Sequence, residues 1–161
     1  MRSTGIRLGF TLIELLVVVA IISLLSSIVM ASLNTGRDKS RDAAIKSNLL
    51  SARTSAGLYQ GEYNTTSQIC TNSARMHYLA PHVEAAERAY NGLVTAYNDT
   101  VASTWNTAQC HDDQFGNWVA WVPLRSSTAS APRAWCVDAT GASRLSTVIL
   151  QGGIMTCPPQ P

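Results

Sequence analysis

Residues 10–33 read FTLIELLVVVAIISLLSSIVMASL, an apolar run carrying one charge, Glu14. A helix needs about 20 apolar residues to cross a bilayer core. Leu, Ile and Val dominate the run and Pro is absent, so 10–33 reads as a transmembrane helix. Upstream, residues 1–9 contain Arg2 and Arg7 and no acid. That asymmetry holds the N-terminus on the cytoplasmic side and sends the remainder across the membrane. A cleaved secretory signal has an apolar core of roughly 7–15 residues ending at small residues. Here the run is longer and continues without a turn signal, so Ala31-Ser32-Leu33 is not read as a cleavage site.

Composition bounds the rest. The chain has 161 residues, a formal net charge of +2 and 14% charged residues. That fits one domain with an appendage and lacks the basic stripe of a nucleic-acid surface. It also lacks the charge of an acidic tail.

Downstream of the span, Ile45, Leu49, Ala52, Ala56 and Tyr59 recur at steps of four and three, one stripe of a helix. A helix from Phe10 to Tyr59 would be about 75 Å long. Its second half is expected to lay that stripe on a sheet. Asp42 and Lys46 form an acid-before-base pair at i,i+4, and Asp38 and Arg41 share a face. Gly57 and Gly61 announce the helix end. Arg37, Lys39 and Arg41 follow the span on the outer side, offset by Asp38 and Asp42.

Residues 60–81 read as a polar loop. Pro81 opens a second helix with Glu84 and Glu87 in its N-terminal half; Tyr90, Leu93, Val94, Tyr97 and Val101 form its apolar face. Strands are expected at 117–124, 134–139 and 144–150, the last two joined at Ala139-Thr140-Gly141 as a hairpin. Ser126 to Pro132 is a flexible Ser/Ala loop, and Pro123 marks an edge or a strand end. Trp105, Trp118, Trp121 and Trp135 are expected between sheet and helix. The fold class is α+β: a long N-terminal helix, its first half transmembrane and its second half packed on a small antiparallel sheet.

No catalytic constellation emerges. His77, His82 and His111 stand in unrelated segments, and no nucleophile elbow, phosphate loop or dinucleotide fingerprint occurs. His111-Asp112-Asp113 is read as a solvated acidic run rather than a calcium loop. No enzyme, cofactor or metal is expected.

Glu14 therefore carries the most information. A carboxylate within the membrane costs on the order of 2.5–3.5 kcal/mol on insertion scales. Arg7 precedes the span and can snorkel to water. Nothing in the first turns neutralises Glu14, so a partner from another chain is expected. The competing reading places Glu14, about one turn from Phe10, at the headgroups.

Gly9-Phe10-Thr11-Leu12-Ile13-Glu14-Leu15, behind a basic leader and ahead of an unbroken apolar run, resembles the processing site of type IV pilins and pseudopilins. The resemblance implies a leader (1–9) removed by a prepilin peptidase cutting between Gly9 and Phe10, and N-methylation of Phe10. It implies an assembly helix (10–33) and an exported globular pilin-like domain (34–161). Glu14 would pair with the N-terminal amine of a neighbouring subunit. Ala31 stands where many relatives have a kinking proline, and Ser23 where glycine is common. Trp135 to Gly141 (WCVDATG) resembles strings in some bacterial pilin-like proteins.

Cys70, Cys110, Cys136 and Cys157 all follow the span, on the oxidising side. Three connectivities are open. Cys70–Cys110 with Cys136–Cys157 is favoured; the second resembles the disulfide-bounded region near the C-terminus of many pilins. The function implied is a structural subunit of a type IV pilus, major or minor. The alternative is a pseudopilin of a type II secretion or DNA-uptake system, and after it a single-pass anchored binding protein. The implied partners are copies of the chain or other pilins in a helical filament, prepilin peptidase and the inner-membrane assembly platform. The implied route runs from the inner membrane, N-terminus cytoplasmic, to a surface filament.

Overall fold

A computed structural model describes residues 9–64, 69–70, 78–92, 107–113, 115–150 and 153–159, with residue 31 by its backbone alone. The elements are α1 (Leu12–Tyr63), α2 (Ala80–Asn91), β1 (Gln109–Asp112), β2 (Trp118–Pro123), β3 (Ala134–Asp138) and β4 (Ser143–Ser146). The four strands form one antiparallel sheet in the order β1-β2-β3-β4. The chain divides into two compact units, Met1–Arg37 and Asp38–Pro161. The arrangement is α+β and pilin-like: a long, N-terminally apolar helix followed by a small antiparallel sheet.

In the first unit, every described side chain from Gly9 to Arg37 is exposed. By length and composition this part of α1 can cross a membrane. Its interior serines satisfy their hydroxyls on the helix itself, Ser23 Oγ donating to the Val19 carbonyl at 2.7 Å and Ser27 Oγ to that of Leu24 at 2.8 Å. A hydroxyl bonded to its own helix can enter lipid with less loss than one left open.

In the second unit, the stripe Ile45, Leu49, Ala52, Ala56 and Tyr59 is fully buried. It packs in one cluster with Leu79, Val83, Ala86, Trp118, Ala120, Val122 and Val137. The opposite sheet face holds a second cluster of Val119, Trp121, Ala134, Cys136, Leu150 and Cys157. That division explains the poor alternation of β2: all six of its residues are buried. A strand covered on both faces reads as a continuous apolar run. It also corrects the expectation for the tryptophans. Trp118 lies against the helix stripe, whereas Trp121 lies on the far face. Trp105 falls outside the described residues.

Several expected boundaries move for identifiable reasons. α1 passes Gly57 and Gly61, each worth about 1 kcal/mol against a helix, because its last turn is held by tyrosines. Tyr59 is buried, and its ring centroid lies 4.9 Å from Tyr63 and 5.2 Å from Tyr78. Asn64, at φ 51°, then stops the helix with its N–H on the Gln60 carbonyl. α2 ends at Asn91 because Gly92 adopts φ 79° and donates its N–H to the Arg88 carbonyl, a left-handed glycine cap. Leu93, Val94, Tyr97 and Val101, expected on that helix, lie outside the described residues. Tyr90, expected on that face, is partly buried against the core, and the residues that α2 buries are Ala80, Val83, Ala86 and Glu87.

β4 stops at Ser146, not at Leu150. Ser146 Oγ donates to the Val148 carbonyl and accepts the Val148 N–H, which turns the chain so that Leu150 enters the second cluster. β1 was not foreseen. Pro123 ends β2 two residues beyond Trp121, the last residue paired with β1, so its missing N–H interrupts no bond to β1. The segment Ser126–Pro132 is tied, not free. Thr128 and Ala131 bridge, Leu124 N–H bonds the Arg133 carbonyl, and Arg133 N–H bonds Ser127 Oγ.

Asp42 and Lys46 do not pair with each other. Asp42, nearly buried, accepts the backbone N–H of Arg125 at 2.6 Å and of Ser126 at 3.3 Å. Lys46 lies over the Trp135 ring, 4.8 Å from its centroid. Asp38 meets Arg125 Nε at 3.6 Å rather than Arg41. Both acids thus fasten the turn after β2 to α1.

Candidate processing and assembly site

The start of α1 is organised by Thr11 and Glu14. Thr11 N–H donates to Glu14 Oε2 at 2.9 Å, and Thr11 Oγ1 donates to the same oxygen at 2.8 Å. The Glu14 N–H approaches Thr11 Oγ1 at 3.3 Å, and the Leu15 N–H reaches the Thr11 carbonyl at 3.3 Å. This is a capping box: a threonine at the N-cap and a glutamate three residues later each satisfy the other's otherwise unpaired backbone N–H. It gives the Glu14 carboxylate two local hydrogen bonds, but both donors are uncharged and its charge is not neutralised. The signal was present in the sequence, as Thr-x-x-Glu directly before an apolar run.

The cap sets the chemistry available here. Both donors from Thr11 converge on Oε2, and Oε1 is unengaged among the described residues. Gly9 and Phe10 precede the helix and are exposed, and a Cβ built on Gly9 would meet nothing within 4 Å. The Gly9–Phe10 bond therefore lies in non-helical chain, immediately before a capped helix. Exposed chain outside regular structure is where proteolysis concentrates.

The cysteines form two bonds, Cys70–Cys110 and Cys136–Cys157. Neither acid beside the strand cysteines is a free ligand. Asp112 Oδ2 accepts the Cys70 N–H, and Asp138 Oδ2 accepts the Cys157 N–H, both at 2.6 Å. Asp113 accepts from Asn117 Nδ2, Asn117 N–H and Phe115 N–H. The Asn117 side chain, more than its backbone N–H and that of Phe115, draws the Asp113 carboxyl below the usual carboxylate range. Asp112 and Asp113 thus accept from backbone N–H groups and the Asn117 amide. His111 is buried in β1, His82 Nε2 lies 2.9 Å from Ser55 Oγ, and His77 is outside the described residues.

The family model of the prokaryotic N-terminal methylation motif matches residues 7–30. That match contains Gly9, Phe10, the capping box and most of the apolar run. No curated protein and no solved structure matches the chain. The chain carries the prepilin-type N-terminal methylation signal at the head of a long helix, apolar in its N-terminal part, that leads to a small antiparallel sheet.

Proposed function

We propose that the chain is a structural subunit of a type IV pilus, major or minor. In this reading prepilin peptidase removes 1–9 by cutting between Gly9 and Phe10, and Phe10 is N-methylated. Residues 10–33 hold the subunit in the inner membrane until the assembly platform transfers it into a filament. There it meets copies of itself or other pilins, with 34–161 as the exported domain. The observation that carries the reading is Gly9-Phe10 in non-helical chain, followed at a fixed offset by Glu14, inside the matched segment 7–30. The motif belongs to structural rather than catalytic chains.

Electrostatics supports the assembly role of Glu14. Cleavage creates an α-amine at Phe10, a cation at the membrane boundary. A carboxylate on a neighbouring, axially displaced helix compensates it. Each charge alone is costly in apolar surroundings, while a matched pair is tolerated. The pair then fixes register more than affinity, and the exposed apolar face supplies the packing.

The test is Glu14→Ala beside Glu14→Gln in cells. Processing at Phe10 is expected to survive in both, and incorporation into surface fibres is expected to fall in both. The glutamine keeps an acceptor for Thr11 but has no charge for an amine. Normal assembly of Glu14→Gln would reduce Glu14 to a helix cap and overturn the pairing.

A further inference from the structure

Two strand cysteines are each followed, two residues later, by an aspartate: Cys110-His111-Asp112 in β1 and Cys136-Val137-Asp138 in β3. Residues i and i+2 of a strand share a face and lie about 6.8 Å apart. Each pair therefore presents a sulfur and a carboxylate side by side. The loop cysteine that joins it is held at both points. Cys70 is bonded through sulfur to Cys110 and donates its N–H to Asp112 Oδ2 at 2.6 Å. Cys157 is bonded to Cys136 and donates its N–H to Asp138 Oδ2 at 2.6 Å. The same grip recurs in two unrelated loops on opposite faces of the sheet. The opposite faces follow from register: Cys110 stands across from Ala120 and Cys136 from Trp121, adjacent residues of β2.

We propose that Asp112 and Asp138 are positioning residues for oxidative folding, docking the backbone of Cys70 and of Cys157 so that each thiol meets its own strand partner. The docking needs no disulfide, because the N–H to carboxylate bond forms equally in the dithiol chain. It offsets part of the loop-closure entropy for separations of 40 and 21 residues. It also selects the pairing, since a loop cysteine docked on one face cannot reach the strand cysteine on the other. Each closure then breaks two S–H bonds and forms one S–S bond. Two electrons and two protons pass to a disulfide oxidant, which leaves as two thiols. Asp138 Oδ1 serves a separate purpose, accepting from Thr140 N–H, Thr140 Oγ1 and Ala142 N–H in the β3–β4 turn.

The experiment uses the full chain in detergent micelles, reduced and then refolded in a glutathione/glutathione disulfide buffer. Free thiols are trapped at intervals, and each disulfide is mapped by peptide mass spectrometry. Asp112→Asn is expected to lower the closure constant of Cys70–Cys110 about tenfold or more, the weight of a charge-assisted bond, and to leave Cys136–Cys157 within about twofold. Asp138→Asn is expected to do the reverse. Thr140→Val loosens the turn without touching Oδ2 and is expected to change neither constant comparably. If each aspartate variant lowers both bonds equally, or neither, the proposal fails. It fails for Cys136–Cys157 if Thr140→Val matches Asp138→Asn. Should Asp138→Asn not fold, the Asp112→Asn arm in edge strand β1 decides.

Discussion

Replacing Asp42 with alanine removes the tie between α1 and the turn after β2. Two backbone donors, Arg125 N–H at 2.6 Å and Ser126 N–H at 3.3 Å, lose their acceptor. Asp42 is only 8% exposed, so water replaces the carboxylate poorly. A hydrogen bond to a charged group contributes about 1.5–3 kcal/mol, and the longer contact adds less. Against that, alanine is the better helix former by about 0.5 kcal/mol. The net loss is about 2–3 kcal/mol. At about 4 °C per kcal/mol for a domain of this size, the melting temperature falls by about 8–12 °C. The assay is near-UV circular dichroism of the oxidised chain in micelles, where Trp118, Trp121 and Trp135 report packing. Asp42→Asn, which retains one acceptor oxygen, is expected to lose about half as much. Asp38→Ala is the control. Its ion pair with Arg125 is 38% and 39% exposed, and such pairs contribute about 0–1 kcal/mol. A shift of less than about 2 °C for Asp42→Ala, or an equal shift for Asp38→Ala, would refute the reasoning.

Three further expectations concern other parts of the molecule. The Tyr78 phenol donates to the Glu62 carboxylate, which pushes its pKa up to about 12. The folded value lies above the unfolded one near 10, so this contribution is intact below pH 10 and is lost as pH rises through 12. Ultraviolet titration should find one tyrosine ionising late, and Glu62→Gln should bring it toward the others; no change on that substitution would refute the pairing. Leu49→Ala opens the centre of the helix stripe and is expected to cost about 2–5 kcal/mol, read by denaturant unfolding; a loss below about 1 kcal/mol would contradict full burial. Thr11→Val deletes the cap hydroxyl, at about 1 kcal/mol. Amide exchange should quicken across residues 12–15 and stay unchanged beyond Ser23.

The helix stripe was legible because its residues follow one geometric rule, and the structure buries all five. The β3–β4 hairpin was legible through Ala139-Thr140-Gly141, where Gly141 takes φ 92°. β1 was not, because Gln109-Cys110-His111-Asp112 has neither apolar alternation nor β-branched residues. It is a strand by virtue of its ladder to β2 and the Cys70–Cys110 bond, both long-range facts. Asp42 was misassigned for a similar reason. The i,i+4 rule sees only the helix, whereas the strongest acceptor sites went to backbone donors 83 and 84 residues away. The Thr11 cap is legible as Thr-x-x-Glu directly before an apolar run.

If the Gly9–Phe10 bond is the processing site, the mature chain begins at Phe10. Intact-mass and N-terminal peptide mass spectrometry of the protein extracted from the membrane of a cell with a working prepilin peptidase tests it directly. The expected first residue is Phe10 carrying one additional methyl group, with residues 1–9 absent. A chain that retains residues 1–9 in that cell, or one cut after Ala31, would contradict it.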